Sequence, residues 1–439
     1  MSGAAAAAYR LAPGGHVAGS FTVPGDKSIS HRALMLGALA RGTTEIGGFL
    51  EGEDCLATAR ALTAMGVAIE HPAPTEVRVH GVGRQGLRAP AAPLDMGNAG
   101  TAMRLMLGVL AGQPLEATLI GDASLMQRPM ERVAAPLRLM GAQLRTHAGH
   151  APVTVTGNRS LAGITYTLPV ASAQVKSALL LAGVNARGRT QLTEPAPSRD
   201  HTERMLRQFG VTVQQEGAHI AVAGGQELSA ARIEVPADFS SAAFFLVAGC
   251  LAAEQPLTLT NVGVNPTRTG LLSILKSMGA DIRVHPRAGA AGGEPRADLE
   301  VRRSSLRGIA VPEALVSLAI DELPVLFIAA ACARGQTVVR GAAELRVKES
   351  DRLAAMAEGL GRLGIRHELA SDGLTLEGAD SFGGGTIDSR GDHRIAMAFA
   401  VAALRARAPL KVLDVANVAT SFPGFLTLAR AAGLQIEPA

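Results

Sequence analysis

Charged and hydroxyl residues stand at the head of several otherwise apolar stretches. Lys27, Ser28 and Arg32 open one; Asn98, Gly100 and Thr101 open another; Ser172, Ala173 and Gln174 a third. Asp321 precedes a fourth, and His393 and Arg394 begin a fifth. A helix N-terminus exposes unpaired N–H groups and carries about half a positive charge, so with Lys or Arg beside it, it is a ready anion site. These residue types point to a pocket for small, multiply charged anions. Singly, each has a plainer reading. Ser28, Asn98, Ser172 and Asp392 suit ordinary N-caps, and Arg104, Arg138 and Arg207 suit ordinary helix-face charges. Lys27 and Arg128 could be surface charges, Asp321-Glu322 an acidic first turn, and Glu349-Ser350-Asp351-Arg352 a solvated helix start. Six caps are expected of six helices, but six with this attached chemistry are not.

The elements that carry these residues repeat. An amphipathic helix ending in glycine, then a short alternating strand, recurs as LTAMGVAIE, LRLMGAQLR, LRQFGVTVQ, LKSMGADIRV, LGRLGIRHEL and LARAAGLQIE, at Gly66, Gly141, Gly210, Gly279, Gly364 and Gly433. Glycine enters the left-handed region cheaply and is the usual residue past a helix end. A second phrase alternates with it, a polar residue followed by a small-residue-rich apolar helix, from Ser28, Asn98, Ser172, Asp238, Asp321 and Asp392. These helices are apolar on nearly every face, which predicts burial. The repeat predicts six units, each a buried helix, a strand, an amphipathic helix and further strands, in an α/β fold. The phrase Val23-Pro24-Gly25-Asp26 returns as Val235-Pro236-Ala237-Asp238. It suggests one domain of three units over 26–237 and a second over 238–439 joined by 1–25. The crossovers near 23–26 and 235–238 would form a hinge that closes on a ligand.

Composition narrows the function. The chain has 439 residues, 47% hydrophobic and 18% charged, which suits a folded two-domain protein. Trp is absent and aromatics make up 3%, so no base-stacking platform is expected, and the net charge of +4 is not gathered into a basic stripe. A nucleic-acid partner is therefore not expected. Cys55, Cys250 and Cys332 are scattered and odd in number, which argues against a disulfide framework and suits a reducing compartment. No His/Cys/carboxylate spacing suggests a metal. The longest apolar run, 242–253, is too short for a membrane span. The N-terminal stretch lacks signal-peptide character. A cytoplasmic, cofactor-free monomer acting on small molecules is expected.

VPGDKSISHRAL, GNAGTAMRL, GDASLMQRPM, SAQVKSALL, SRDHTERML, LRVKESDRL and GDHRIAMAF, in this order along nearly the whole chain, closely resemble the 5-enolpyruvylshikimate-3-phosphate synthase family. The resemblance implies two domains of three βαβαββ units, the inside-out α/β barrel of enolpyruvyl transferases. It also implies transfer of the enolpyruvyl group of phosphoenolpyruvate to the 5-hydroxyl of shikimate 3-phosphate with release of phosphate, the sixth step of the shikimate pathway. By motif, Lys27, Ser28, Arg32, Ser172, Ala173, Gln174, Arg199, Asp321 and Lys348 resemble shikimate-3-phosphate contacts. Lys27, Asn98, Gly100, Arg128, Gln174, Arg352 and Arg394 resemble the phosphoenolpyruvate clamp. The catalytic set implied is Asp321, Glu349 and Lys27. Asp321 is the expected acceptor of the hydroxyl proton, and Glu349 and Lys27 are alternatives for the proton at C3.

Some positions depart from the pattern. Thr420, in TSFPGF, stands where one branch of the family has a lysine, and Glu344 stands where an asparagine is frequent. RPMERVAAPL matches the bacterial-type branch. These motifs leave the response to the family's inhibitor glyphosate open, though Gly100 keeps the backbone approach clear. Like charges about 4 Å apart repel by roughly 4 kcal/mol at an effective dielectric of about 20, so two anionic substrates require the cations. An enolpyruvyl transferase acting on UDP-N-acetylglucosamine is disfavoured, because no cysteine lies between Cys55 and Cys250 and the corresponding loop reads GDASLMQRPM. A non-catalytic anion-binding relative is disfavoured by the intact Asp321, Lys348, Glu349, Arg352 and Arg394.

Overall fold

In the computed structural model the described residues are 8–157, 160–289 and 292–439. Residues 1–7, which the sequence reading joins to the second domain, lie outside them. Cα packing divides the chain into two units. Unit N comprises Gly25–Val235 with Gly289–Glu294, and unit C comprises the segment up to Pro24 with Pro236–Ala288 and Pro295–Ala439. The sequence boundaries 26–237 and 238–439 do not anticipate the placement of 289–294 in unit N.

Among the described residues the strands form six sheets built to one plan, three in each unit. The second sheet of unit N shows it. Leu94–Asp95 pairs parallel with Glu116–Ile120, which pairs antiparallel with His150–Thr156, which forms a hairpin with Gln143–His147. A helix joins the first two strands, Gly100–Ala111, and another precedes the hairpin, Glu131–Leu139. This is one βαβαββ unit. The N-terminal segment supplies strands to unit C. Val17–Phe21 lies parallel to Ala253–Gly263, and Ala8–Leu11 lies between Leu410–Leu413 and Ile436–Pro438. In the sheet of Gln336–Val339 the place of the first strand is taken by two isolated parallel bridges, from Arg307 and Ala310. All six phrase-ending glycines have positive φ, from +83° at Gly364 to +112° at Gly433, as the helix-stop reading requires.

Each unit is built around its three apolar helices. In unit N these are Lys27–Leu39, Gly100–Ala111 and Ala173–Asn185, and in unit C Phe239–Ala252, Leu323–Ala331 and His393–Ala402. Every residue of the three unit C helices is buried. Tyr9, Phe245, Phe422 and Phe425 belong to that core and Phe21 packs against it, with Phe21 and Phe245 edge-to-face at 5.0 Å between centroids. In unit N the Gly100–Ala111 and Ala173–Asn185 helices touch at backbone distance. A Cβ on Gly108 would fall 2.2 Å from the Ala178 carbonyl oxygen. Among the described residues no helix is long and apolar enough to cross a membrane, and no His/Cys/Asp/Glu group could hold a metal ion.

The Gly108 contact is backbone against backbone, so neither side can yield by changing rotamer. Gly108→Ala is expected to destabilise unit N by about 1–3 kcal/mol, read as a lower denaturant midpoint. An unshifted midpoint would mean that the two helices separate at no cost.

Candidate active site

In unit N, Asp26, not Ser28, caps the first helix; its Oδ1 accepts from Ile29 N at 2.9 Å. Ser28 lies inside the first turn, and its carbonyl accepts from Arg32 Nη1 at 2.9 Å. Arg32 is buried and donates further to Thr202 Oγ1 (2.7 Å) and Ser177 Oγ (2.8 Å). Burial lowers its pKa to about 10, against the pull of the Glu203 carboxylate, so it stays charged at neutral pH. Arg199, half-buried in the loop before the His201–Gln208 helix, is near enough to oppose the Arg32 charge. Lys27 Nζ reaches Asp54 Oδ2 at 2.9 Å, so its ammonium is aimed by the first turn of the Glu53–Ala64 helix.

Asn98 is not a cap either. Ala99 holds that place before Gly100 without a side-chain bond. Asn98 instead accepts from Arg128 Nη2 at 2.5 Å on its Oδ1 and from Nη1 at 3.2 Å on its carbonyl. Its amide donates to Asp122 Oδ2 at 2.7 Å, which makes an Asp122–Asn98–Arg128 chain. A Cβ on Gly100 would sit 2.9 Å from Arg128 Nη1, so glycine here leaves the guanidinium its position. Ser172 is a cap, its Oγ accepting from Val175 N at 3.4 Å. Ala173 begins that helix, and Gln174 donates to Thr101 Oγ1 at 2.9 Å. Gln174 Oε1 accepts from Arg104 Nη1 at 2.6 Å. Arg104 therefore corrects the sequence reading: it is 5% exposed, not an ordinary helix-face charge, and it holds the Gln174 side chain. A lone charge inside the apolar run MRLMLGVLAG was the available signal. Arg138 and Arg207 do serve local structure, bonding the Leu144 and Val213 carbonyls. These bonds tie the starts of the three buried helices of unit N to one another.

Unit C gathers a denser charge cluster. Arg352, first residue of the Arg352–Arg362 helix, is 1% exposed and not the solvated start the plain reading supposed. Its guanidinium meets Asp392 Oδ2 at 2.8 Å, Glu349 Oε2 at 2.5 Å and Asp321 Oδ1 at 3.4 Å. Burial alone would depress its pKa, but Asp392, Glu349 and Asp321 outweigh burial and hold it above the ordinary arginine range. Asp392 also caps the next helix, accepting from Arg394 N at 2.9 Å, and accepts from Ser350 Oγ at 3.1 Å. Arg394 Nη1 donates to the Asp321 carbonyl at 2.8 Å, and Lys348 Nζ lies 3.4 Å from Asp321 Oδ1. His393, 5% exposed, heads the Arg394 helix. Glu344 lies in the 3-10 turn before Lys348, and the Thr420 hydroxyl bonds the Asn417 carbonyl. Asp321, Lys348, Glu349, Arg352 and Arg394 are thus brought together, and the carboxylates that hold the cations here were not foreseen as their partners.

His31, one residue before Arg32, is fully buried against Thr58 Oγ1 at 2.8 Å. Burial first, then Lys27 and Arg32, pushes its pKa from 6.5 down to about 3. The folded chain keeps His31 neutral where the unfolded chain takes a proton. Its contribution to stability is present above pH 6.5 and is lost as pH falls from there towards 3. His31→Gln is expected to flatten the stability–pH curve in that window by up to about 1.4 kcal/mol per pH unit, measured by denaturation from pH 7 to 4. Identical slopes for parent and variant would contradict it.

Comparison with known proteins agrees with this architecture. The family model for EPSP synthase (3-phosphoshikimate 1-carboxyvinyltransferase) matches residues 11–428. A 3-phosphoshikimate 1-carboxyvinyltransferase of Alkalilimnicola ehrlichii is 60% identical over 429 residues, 98% of this chain and 96% of the relative. That of Methylococcus capsulatus is 58% identical over 431 residues, 98% of each. The solved EPSP synthase of Acinetobacter baumannii superposes with a TM-score of 0.88 at 54% identity, covering 98% of this chain and 99% of that one. With six βαβαββ units and a match along almost its whole length, the chain belongs to the EPSP synthase (3-phosphoshikimate 1-carboxyvinyltransferase) family.

Proposed function

We propose that this protein is a 3-phosphoshikimate 1-carboxyvinyltransferase, moving the enolpyruvyl group of phosphoenolpyruvate to the 5-hydroxyl of shikimate 3-phosphate and releasing phosphate in aromatic biosynthesis. The observation that carries the reading is the unit C cluster. There one carboxylate, Asp321, lies 3.4 Å from both Lys348 and Arg352, while its carbonyl holds Arg394. An acceptor for a hydroxyl proton and cations for phosphate and carboxylate are fixed beside it before any substrate arrives.

In this reading Lys27, Ser28, Arg32, Ser172, Ala173, Gln174 and Arg199 bind shikimate 3-phosphate, and Asp321 and Lys348 hold its hydroxyls. Lys27, Asn98, Gly100, Arg128, Gln174, Arg352 and Arg394 bind phosphoenolpyruvate. Planar guanidinium groups suit carboxylate and phosphate because they bind through two parallel N–H bonds. Asp321 takes the proton of the 5-hydroxyl as its oxygen attacks C2. Glu349 or Lys27 delivers a proton to C3, giving a tetrahedral intermediate. Collapse expels phosphate and returns the C3 proton, restoring the double bond. Arg104 and Asp392 position groups that touch substrate: Arg104 aims Gln174, and Asp392 holds Arg352 and the backbone of Arg394. The three free cysteines suit a cytoplasmic enzyme.

Phosphate release from phosphoenolpyruvate with shikimate 3-phosphate, in the presence of EDTA, tests the assignment. A parallel reaction contains UDP-N-acetylglucosamine instead. Release only with shikimate 3-phosphate is expected; release only with the nucleotide sugar, or with neither, would overturn the reading. Asp321→Asn is expected to retain both substrates and lose about 10²–10⁴-fold in kcat, by steady-state kinetics. An unchanged kcat would remove Asp321 from proton transfer.

A further inference from the structure

Lys176 lies in the first turn of the Ala173–Asn185 helix and is 1% exposed. Its ammonium lies 2.5 Å from Glu194 Oε1 and 2.7 Å from Glu203 Oε1, and donates to the Ser198 carbonyl at 3.3 Å. Ser198 Oγ in turn donates to Glu194. Glu194 and Glu203 are themselves 6% and 0% exposed. The assigned chemistry places none of these three side chains against a substrate, although the Glu203 charge also acts on Arg32. Buried ion pairs are often no more stabilising than apolar side chains of similar volume, so a charged triad inside an apolar core calls for a role beyond stability. The three acceptors come from three segments: the end of the Arg189–Thr193 strand, the loop that follows, and the His201–Gln208 helix. Between Glu194 and Ser198 that loop runs through exposed Pro195, Ala196 and Pro197, and its next residue is Arg199.

The geometry points to Lys176 as a positioning residue: it fixes the Ser198–Arg199 segment against the helix start formed by Ser172, Ala173 and Gln174, and so sets affinity for the sugar phosphate. The inference rests on reading those residues as shikimate-3-phosphate contacts. Two adjacent residues share the work. Ser177 accepts from Arg32 and from Thr202, which fixes one guanidinium, while Lys176 fixes the loop carrying the other. Such a device is needed because the Arg32 and Arg199 charges repel each other, and only a tether keeps both facing one dianion. Burial raises the pKa of Glu203 against the influence of Lys176, so removing the lysine alone would strand two carboxylates.

The test therefore removes one charge of each sign. Lys176→Met with Glu203→Gln is expected to raise KM for shikimate 3-phosphate on the order of tenfold, with KM for phosphoenolpyruvate and kcat little changed. Arg199→Ala alone is expected to raise the same KM, and its combination with the pair to add little, since both act through one contact. A KM unchanged in the paired variant, with Arg199→Ala still impaired, overturns the inference and leaves the substrate reading intact. A KM unchanged by Arg199→Ala overturns the reading of Arg199 and the inference with it. Equal loss for both substrates, accompanied by a lower Tm, shows a merely structural cluster and overturns it too. Glu194→Gln, which keeps an acceptor for Ser198, gives the same comparison if the paired variant does not fold: a selective rise supports the tether and none overturns it.

Discussion

A helix surrounded on all sides by apolar neighbours can offer chemistry only at its ends. That constraint organises this protein. Phe239–Ala252, Leu323–Ala331 and His393–Ala402 present no exposed residue, and the unit N helices are buried beyond their first turns. Their unpaired N-terminal N–H groups must still be satisfied, by a cap or by a ligand. Asp26, Ser172, Asp238 and Asp392 do this with side-chain oxygens, whereas the Gly100 and Leu323 helices have no side-chain cap. The repeated βαβαββ unit supplies one such helix with each sheet, so the fold multiplies polar helix ends without multiplying surface charge.

The hydrogen bonds of the site arginines differ between the two units, although Lys27 of unit N is paired with a carboxylate, Asp54. Arg32 donates to a carbonyl and two hydroxyl oxygens, and the hydrogen bonds described for Arg104 and Arg128 also run to neutral oxygens. Neutral hydrogen-bond acceptors fix a guanidinium while leaving more of its charge available than a direct carboxylate partner would, and for Arg32 the carboxylates act only from farther off, Glu203 foremost. In unit C, Arg352 is held by three carboxylates, which fix it rigidly while offsetting much of its field. A guanidinium buried that deeply would be prohibitively costly without them. In the proposed mechanism two of these carboxylates, Asp321 and Glu349, are also the acid–base groups, so orientation and proton transfer there fall to one cluster.

Much of the fold was legible because it rests on local chemistry repeated six times. The glycines that stop the amphipathic helices have the positive φ that their place in the phrase requires. The apolar helices are buried because no face of them is polar. Side-chain roles near the helix starts were less legible. Ser28 and Asn98 look like caps by type and position, yet Asp26, two residues before Ser28, holds the cap position, and Asn98 is engaged by Arg128 and Asp122. By sequence Arg104 looks like an ordinary helix-face charge, because periodicity reports burial of a face, not the presence of a polar partner from another helix.

The sequence by itself determined the six-unit repeat, the helix ends and the residue types gathered there, because turn geometry, capping and amphipathic period depend on neighbours within a few positions. Only the tertiary structure decided which atoms meet. The pairing of Lys27 with Asp54, of Arg104 with Gln174, of Lys176 with Glu194 and Glu203, and of Arg352 with Asp321 and Asp392 joins residues from separate elements. Those pairings follow from how the helices pack, and in a buried site the choice of partner sets the charge, the aim and the chemistry of each group.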